Sequence, residues 1–215
     1  MPESGEDVRK RVTGVILAGG RATRMGGVDK GLVAVHGRPM VAWVLDALSP
    51  QVAEVMINAN RSHERYRDFG CPVVADGDGG QEFRGPLAGI ESGLRAAQTP
   101  MVVFAPCDSP LICDDLVLRL HAALAAAHTR IAVAHDGKRL QPVFALLERT
   151  LLDDLVRYLG DGGRKIDRWY DTHGYATADF SDVPGSFENI NAPDDKRALE
   201  DGLARCNRAR PDNGG

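Results

Sequence analysis

Apolar residues in this chain come in short, mostly apolar runs, at 12–18, 53–58, 72–75, 101–105, 131–135 and 143–147. Runs of this length, continuous rather than alternating, are what strands covered on both faces look like. Between them, residues 40–48, 87–97 and 114–127 carry apolar positions on one face only. In the last of these, Leu116, Val117, Leu120, Ala123 and Leu124 recur as the stripe of a helix buried on one side. Asp114 and Asp115 ahead of them suit the positive end of that helix. Residues 1–11 and 207–215 lack any such pattern and are expected to be disordered tails, leaving 12–206 as one domain. Strands alternating with helices predict an α/β domain built on a largely parallel sheet.

In such sheets ligands collect beyond the carboxyl ends of the strands, and four chemically distinctive segments fall there. The first follows the 12–18 run. Gly19, Gly20, Gly26 and Gly27 let main-chain N–H groups approach a ligand, while Arg21, Arg24 and Lys30 supply fixed positive charge. That combination suits a polyphosphate, although neither the Walker A pattern nor the dinucleotide fingerprint can be aligned to it. Asn58 to Arg61 leaves the second run and Asp76 the third. Asp108, in Pro106-Cys107-Asp108-Ser109-Pro110, leaves the fourth. A carboxylate emerging there beside phosphates is the usual way a protein holds magnesium, with Asp108 as the expected ligand.

Other segments are less decided. Residues 83–90 read as a helix start, with Pro86 near its first turn and glycines on both sides able to admit a base or sugar. Residues 76–80 read as a mobile loop able to act as a lid. Asn191 precedes a last helix at 194–205, where capping that helix and offering a neutral oxygen to a metal both stand open. Residues 160–165, ending in Arg164 and Lys165, form a second glycine-rich cationic turn that is either another phosphate site or a solvated loop.

A net charge of −4 argues against a general nucleic-acid binder. The four cysteines, Cys71, Cys107, Cys113 and Cys206, have no metal-ligand spacing and read as reduced thiols, and the six histidines show none either. No apolar run approaches the length that spans a bilayer and no secretory segment opens the chain, so the cytoplasm is the expected compartment, with no membrane partner.

Leu17-Ala18-Gly19-Gly20, Arg24-Met25-Gly26-Gly27 and Asp29-Lys30 together resemble the signature of nucleotidyltransferases with a glycosyltransferase-A-like fold. Asn58-Ala59-Asn60-Arg61, Gly85-Pro86-Leu87-Ala88-Gly89, Pro106-Cys107-Asp108, Gln141-Pro142 and Asn189-Ile190-Asn191 follow in the order of the molybdenum cofactor guanylyltransferase family. The resemblance spans about residues 12–195. It implies a single Rossmann-like, three-layer domain with one antiparallel strand. It also implies GTP held by the backbone of Leu17, Ala18 and Gly19 and by Lys30, Asn58, Asp76 and Asp108, with magnesium on Asp108. The segment between Asp76 and Gly85 departs from the family pattern in being longer and richer in glycine.

The reaction implied is transfer of GMP from GTP to molybdopterin, usually already carrying molybdenum, with release of pyrophosphate. Arg24, Lys30 and Asp108 are the expected catalytic residues, and Gly20 is expected to let the backbone reach the nucleotide. A phosphate monoester is already ionised at neutral pH, so the attacking group needs no protein base. With four strand ends taken by GTP, the acceptor is expected on the C-terminal side, near Gln141, Arg164, Lys165, Asn189 and Asn191. Transient contacts with cofactor-biosynthesis or molybdoenzyme-maturation proteins would follow from such a product. Two other readings stand beside this one: a cytidylyltransferase of the same superfamily, acting on molybdopterin or a sugar-alcohol phosphate, and a non-catalytic nucleotide-binding regulatory module.

Overall fold

The computed structural model describes residues 4–19, 29–77 and 85–190. In chain order these form α1 (Gly5–Lys10), β1 (Val12–Leu17), β2 (Ala34–Val35), β3 (Arg38–Pro39), α2 (Met40–Leu48), β4 (Glu54–Asn58), α3 (His63–Arg67) and β5 (Val73–Val74). They continue with α4 (Pro86–Ala96), β6 (Met101–Pro106), α5 (Leu116–Ala127), β7 (Ile131–His135), β8 (Leu140–Glu148), α6 (Leu152–Gly160), α7 (Ile166–His173) and β9 (Ala176–Asp179). A seven-stranded sheet runs β5-β4-β1-β6-β8-β7-β9, and β2 and β3 form a separate hairpin. β4, β5 and β6 lie parallel to the β1 direction, β7 and β9 share it, and β8 alone runs against its two neighbours. The α/β class and the mostly parallel sheet are as the sequence pattern predicts, and the one antiparallel strand is as the family resemblance implies.

Two apolar clusters cover the two faces, which is why the strand sequences are apolar throughout. One joins Ile16, Ile57, Val103 and Leu146 to Leu48 of α2, Tyr66 of α3 and Leu120 of α5. The other joins Val15, Met56, Phe104 and Leu147 to Ile90 of α4, Leu155 of α6 and Trp169 of α7. Adjacent strand residues such as Val15 and Ile16 therefore enter opposite cores.

Several boundaries and elements differ from the sequence reading. Residues 5–10, expected to lie in a disordered tail, form α1. Ser4 caps it by accepting from the Asp7 N–H, and Val8 is buried against the core. One apolar residue in a charged segment is too little to register as a periodic pattern. α5 begins at Leu116 rather than at 114, and Asp115 pairs with Arg119 instead of capping the helix. The sequence reading did not include α6 and α7, although Leu151, Leu152, Leu155, Val156 and Leu159 recur at helical spacing and carried the signal for α6. The 194–205 helix and the 207–215 tail lie outside the described residues. Among the described residues no helix is long and apolar enough to cross a membrane.

Candidate active site

Because β5, β4, β1 and β6 are parallel neighbours, their carboxyl ends open along one edge of the sheet in that order. At about 4.8 Å per strand, β5 to β6 spans about 14 Å, roughly the reach of an extended nucleoside triphosphate. Strand-like hydrogen bonds continue past the strand ends. Ala18 N–H donates to Asn58 O, Ala59 N–H to Val74 O, and Cys107 N–H to Leu17 O, so the loops leave a rigid rim.

A cavity of about 260 Å³ lies on that rim. It brings together Leu17, Ala18, Gly19, Lys30, Asn58, Asp76 and Asp108, the expected nucleotide contacts that fall within the described residues. Gly20, Arg21, Arg24 and Asn191, and the expected lid beyond residue 77, lie outside them. Asp29, Gly85, Pro86, Gly89, Cys107 and Val143 complete the lining. Val143 arrives because β8 is antiparallel. Its register, Ala145 opposite Phe104, carries the start of β8 to the end of β6.

The cavity has two chemically different ends. At the β5–β4 end, Asp76 accepts from Asn58 Nδ2 at 2.9 Å and from Asn60 Nδ2 at 2.7 Å. Toward β6, Lys30 Nζ donates to Asp108 Oδ2 at 3.1 Å, a pair whose side chains are 30% and 13% exposed. Lys30 is steadied from behind: Tyr66, fully buried on α3, donates its hydroxyl to Asp29 Oδ1 at 2.6 Å. Burial, then the Cys107 and Asp29 groups beside it, pushes the Tyr66 phenol well above its ordinary range, so it stays a donor. Gly31 makes this possible, since a Cβ there would stand 2.7 Å from the Tyr66 hydroxyl. Burial, reinforced by Asp108 and Asp29, likewise pushes the Cys107 thiol up, so this cysteine is no nucleophile at neutral pH.

α4 closes the floor of the cavity. Gly85 precedes it at φ +70°, a conformation that favours glycine, and Pro86 opens its first turn. Gly89 and Gly93 lie on its sheet-facing side, four residues apart. A Cβ on Gly89 would stand 2.5 Å from Asn58 Oδ1 and 2.8 Å from Leu17 Cδ2, and one on Gly93 would stand 2.7 Å from Phe104. These glycines thus bring the helix against the strands as well as opening the cavity. Gly89→Ala should cost about 1–3 kcal/mol of stability, as overpacking does, and displace Asn58. Thermal unfolding reads the first effect and GTP titration the second; a variant unchanged in both would show that the helix does not depend on this contact.

The expected acceptor residues are dispersed. Gln141 donates to Asp136, whose carboxyl is held at about 2, chiefly by the Arg139 N–H, and Gln141 does not line the cavity. Arg164 turns its guanidinium onto its own chain, donating to Leu159 O and Gly163 O. Its carbonyl nevertheless faces Gly85: a Cβ on that glycine would stand 3.8 Å from it, which sets the 160–165 turn beside the start of α4. Lys165 is exposed on the same turn, its carbonyl taken by the Tyr158 hydroxyl. Asn189 accepts from Ser109, and the Ile190 N–H donates to Asp108 O, so this segment packs directly on the Asp108 turn. Asp29, Tyr66 and Val143 were not anticipated as site residues. Asp29 had a signal in its place just before Lys30, whereas the other two enter only through folding.

Residues 14–175 match the model of the MobA-like NTP transferase domain. The chain belongs to the MobA-like NTP transferase family. It is 46% identical over 195 residues to the molybdenum cofactor guanylyltransferase of Shewanella sediminis, covering 91% of this chain and 98% of that protein. It is 45% identical to the protein of the same name from Shewanella loihica, covering 90% and 98%. Among solved structures, the fold resembles molybdopterin-guanine dinucleotide biosynthesis protein A from Archaeoglobus fulgidus, with a TM-score of 0.74 at 22% identity, covering 90% of this chain and 99% of that one. It also resembles 2-C-methyl-D-erythritol 4-phosphate cytidylyltransferase from Thermus thermophilus, with a TM-score of 0.62 at 21% identity, covering 89% and 98%. Fold likeness therefore extends over NTP transferases of the MobA-like family and cytidylyltransferases alike.

Proposed function

We infer that this chain transfers GMP from GTP to molybdopterin, releasing pyrophosphate and forming the guanine dinucleotide form of the cofactor. The observation that carries the reading is a cavity along the β5–β6 edge that joins the Asn58–Asp76 group to the Lys30–Asp108 pair. Relatives at 45–46% identity over most of the chain carry the guanylyltransferase name. The cytidylyltransferase alternative shares the fold, but at 21% identity rather than 45–46%.

The two ends of the cavity orient the nucleotide. An ionised carboxylate is acceptor-only, so Asp76 suits a hydroxyl or N–H of the nucleoside and repels phosphate. Lys30 suits the phosphates, which run from β1 toward β6. The backbone N–H groups of Ala18 and Cys107 are taken by the rim, so we assign the triphosphate to the Gly19 backbone and to the ammonium of Lys30, which also pairs with Asp108. Magnesium fits this end: it prefers hard oxygen ligands, and Asp108 would hold it together with substrate phosphate oxygens. When bound, the ion neutralises charge on the triphosphate. Lys30 holds the leaving phosphates by charge, and the rigid rim holds the α-phosphorus in line with the acceptor. The acceptor phosphate, already ionised at neutral pH, would attack without a protein base.

The acceptor would enter from the β8 side, past Val143, where the 160–165 turn and Asn189 stand nearby. Because Arg164 donates to its own backbone, Lys165 is the better candidate to meet the acceptor phosphate. Lys165→Glu should raise the KM for molybdopterin about tenfold and leave GTP affinity unchanged, with Arg164→Glu acting less specifically through the shape of the turn. A fall in GTP affinity in Lys165→Glu would instead assign this turn to the nucleotide. The function as a whole is tested by pyrophosphate release: GTP with molybdopterin should support it, while CTP with molybdopterin, or GTP alone, should not. Equal release from CTP would favour the cytidylyltransferase reading, and tight GTP binding without release would favour a regulatory module.

A further inference from the structure

The segment Asn58-Ala59-Asn60-Arg61 contains two asparagines, and only Asn58 reaches the cavity. Asn60 is turned wholly onto Asp76. Its Nδ2 donates to Asp76 Oδ2 at 2.7 Å and its Oδ1 accepts from the Asp76 N–H at 2.9 Å. Asn58 takes the other carboxylate oxygen, and Ser92 Oγ lies 3.5 Å from that same atom. Pairing of β4 with β5 does not require these bonds, because Ala59 N–H already donates to Val74 O at this point. What they add is a fixed direction for one carboxylate that two side-chain torsions would otherwise leave free to swing.

We propose that Asn60 is a positioning residue for the nucleoside, holding Asp76 in the orientation that accepts a donor from GTP. The proposal rests on the reading of this cavity as the GTP site. With Asn58 and Asn60 each holding one oxygen and Ser92 close to the first, Asp76 keeps room for about one further donor. That donor is a ribose hydroxyl or a guanine N–H. Asn60 also packs beside Gly19, since a Cβ on that glycine would stand 3.1 Å from its Nδ2. Asn60 thus lies between Gly19 and the Asp76 carboxylate.

The test is GTP binding by calorimetry, with magnesium, to the full chain and to Asn60→Ala, Asp76→Ala and the double variant. Asp76→Ala should weaken GTP about tenfold or more, as loss of a bond to a charged acceptor does. Asn60→Ala should weaken it about fivefold, and the double variant should match Asp76→Ala within about twofold, because Asn60 acts only through Asp76. In steady state the Asn60→Ala defect should fall on the KM for GTP rather than on kcat. Asn60→Asp keeps the size but opposes a carboxylate to Asp76, and should weaken GTP at least as much. 2′-Deoxy-GTP lacks the 2′-hydroxyl and ITP the exocyclic amino group. Indifference of either analogue to Asp76→Ala assigns Asp76 to the group it lacks, and sensitivity of both assigns it to the 3′-hydroxyl or guanine N1–H.

Additive losses in the double variant, or Asn60 variants that lower the melting temperature without changing GTP affinity, would overturn the proposal. Wild-type affinity in Asp76→Ala with impaired Lys30→Ala would also overturn it, while leaving the cavity as the GTP site. Wild-type affinity in both would remove the site itself.

Discussion

Replacing Lys30 with alanine should cut pyrophosphate release about 10²–10³-fold, the usual cost of removing one donor aimed at charge that develops in the transition state. The physical case rests on the balance of charge in the cavity. Asp29, Asp76 and Asp108 line it, and among the described lining residues Lys30 is the one cation. A highly anionic triphosphate entering beside three carboxylates depends on that charge more than it would on an open surface, where solvent screens it. Removing Lys30 also leaves Asp108, only 13% exposed, without its partner at 3.1 Å. The defect should therefore appear in GTP affinity as well as in turnover, while thermal unfolding moves little because Lys30 is outside both main cores. Pyrophosphate release from Lys30→Ala at the wild-type rate would refute the assignment.

Asp108→Asn should have an effect of similar size on turnover with an opposite sign on metal-free binding. The substitution keeps the shape of the side chain and the backbone bond from Ile190 N–H to the residue 108 carbonyl, so folding should be preserved. It removes a negative charge that repels the triphosphate in the absence of metal, so GTP binding in a chelator should hold or tighten by a few fold. With magnesium present, turnover should fall about 10²-fold or more, and raising the magnesium concentration should recover only part of it. Isothermal titration with and without chelator separates the two effects. Wild-type turnover of Asp108→Asn at limiting magnesium would remove the carboxylate from metal binding. Weaker metal-free GTP binding would show instead that Asp108 acts by holding Lys30 in place.

Periodicity and turn chemistry, both local properties, were enough to predict the central strands, the helices α2, α4 and α5, and the edge of the sheet along which the cavity lies. Glycine content and charge marked the first loop, and the place of Asp108 after an apolar run marked it as a carboxylate leaving the core. Whether these groups meet is not a local property. Lys30 and Asp108 are 78 residues apart and form a pair because β1 and β6 are neighbours. Val143 reaches the cavity because β8 inserts antiparallel beside β6, and a strand sequence covered on both faces reads alike in either direction. Arg164 and Gln141 look like free polar groups in sequence, yet folding supplies Leu159 O and Asp136 as nearer partners. Asn60 shows the same limit from the other side. Its neighbours in the chain give it no partner, and only the alignment of β4 with β5 brings Asp76 within 2.7 Å. A hydrogen-bonding or charged side chain takes the partner that the closed structure brings nearest, so its residue type indicates what chemistry it can do and the tertiary packing decides for whom it does it.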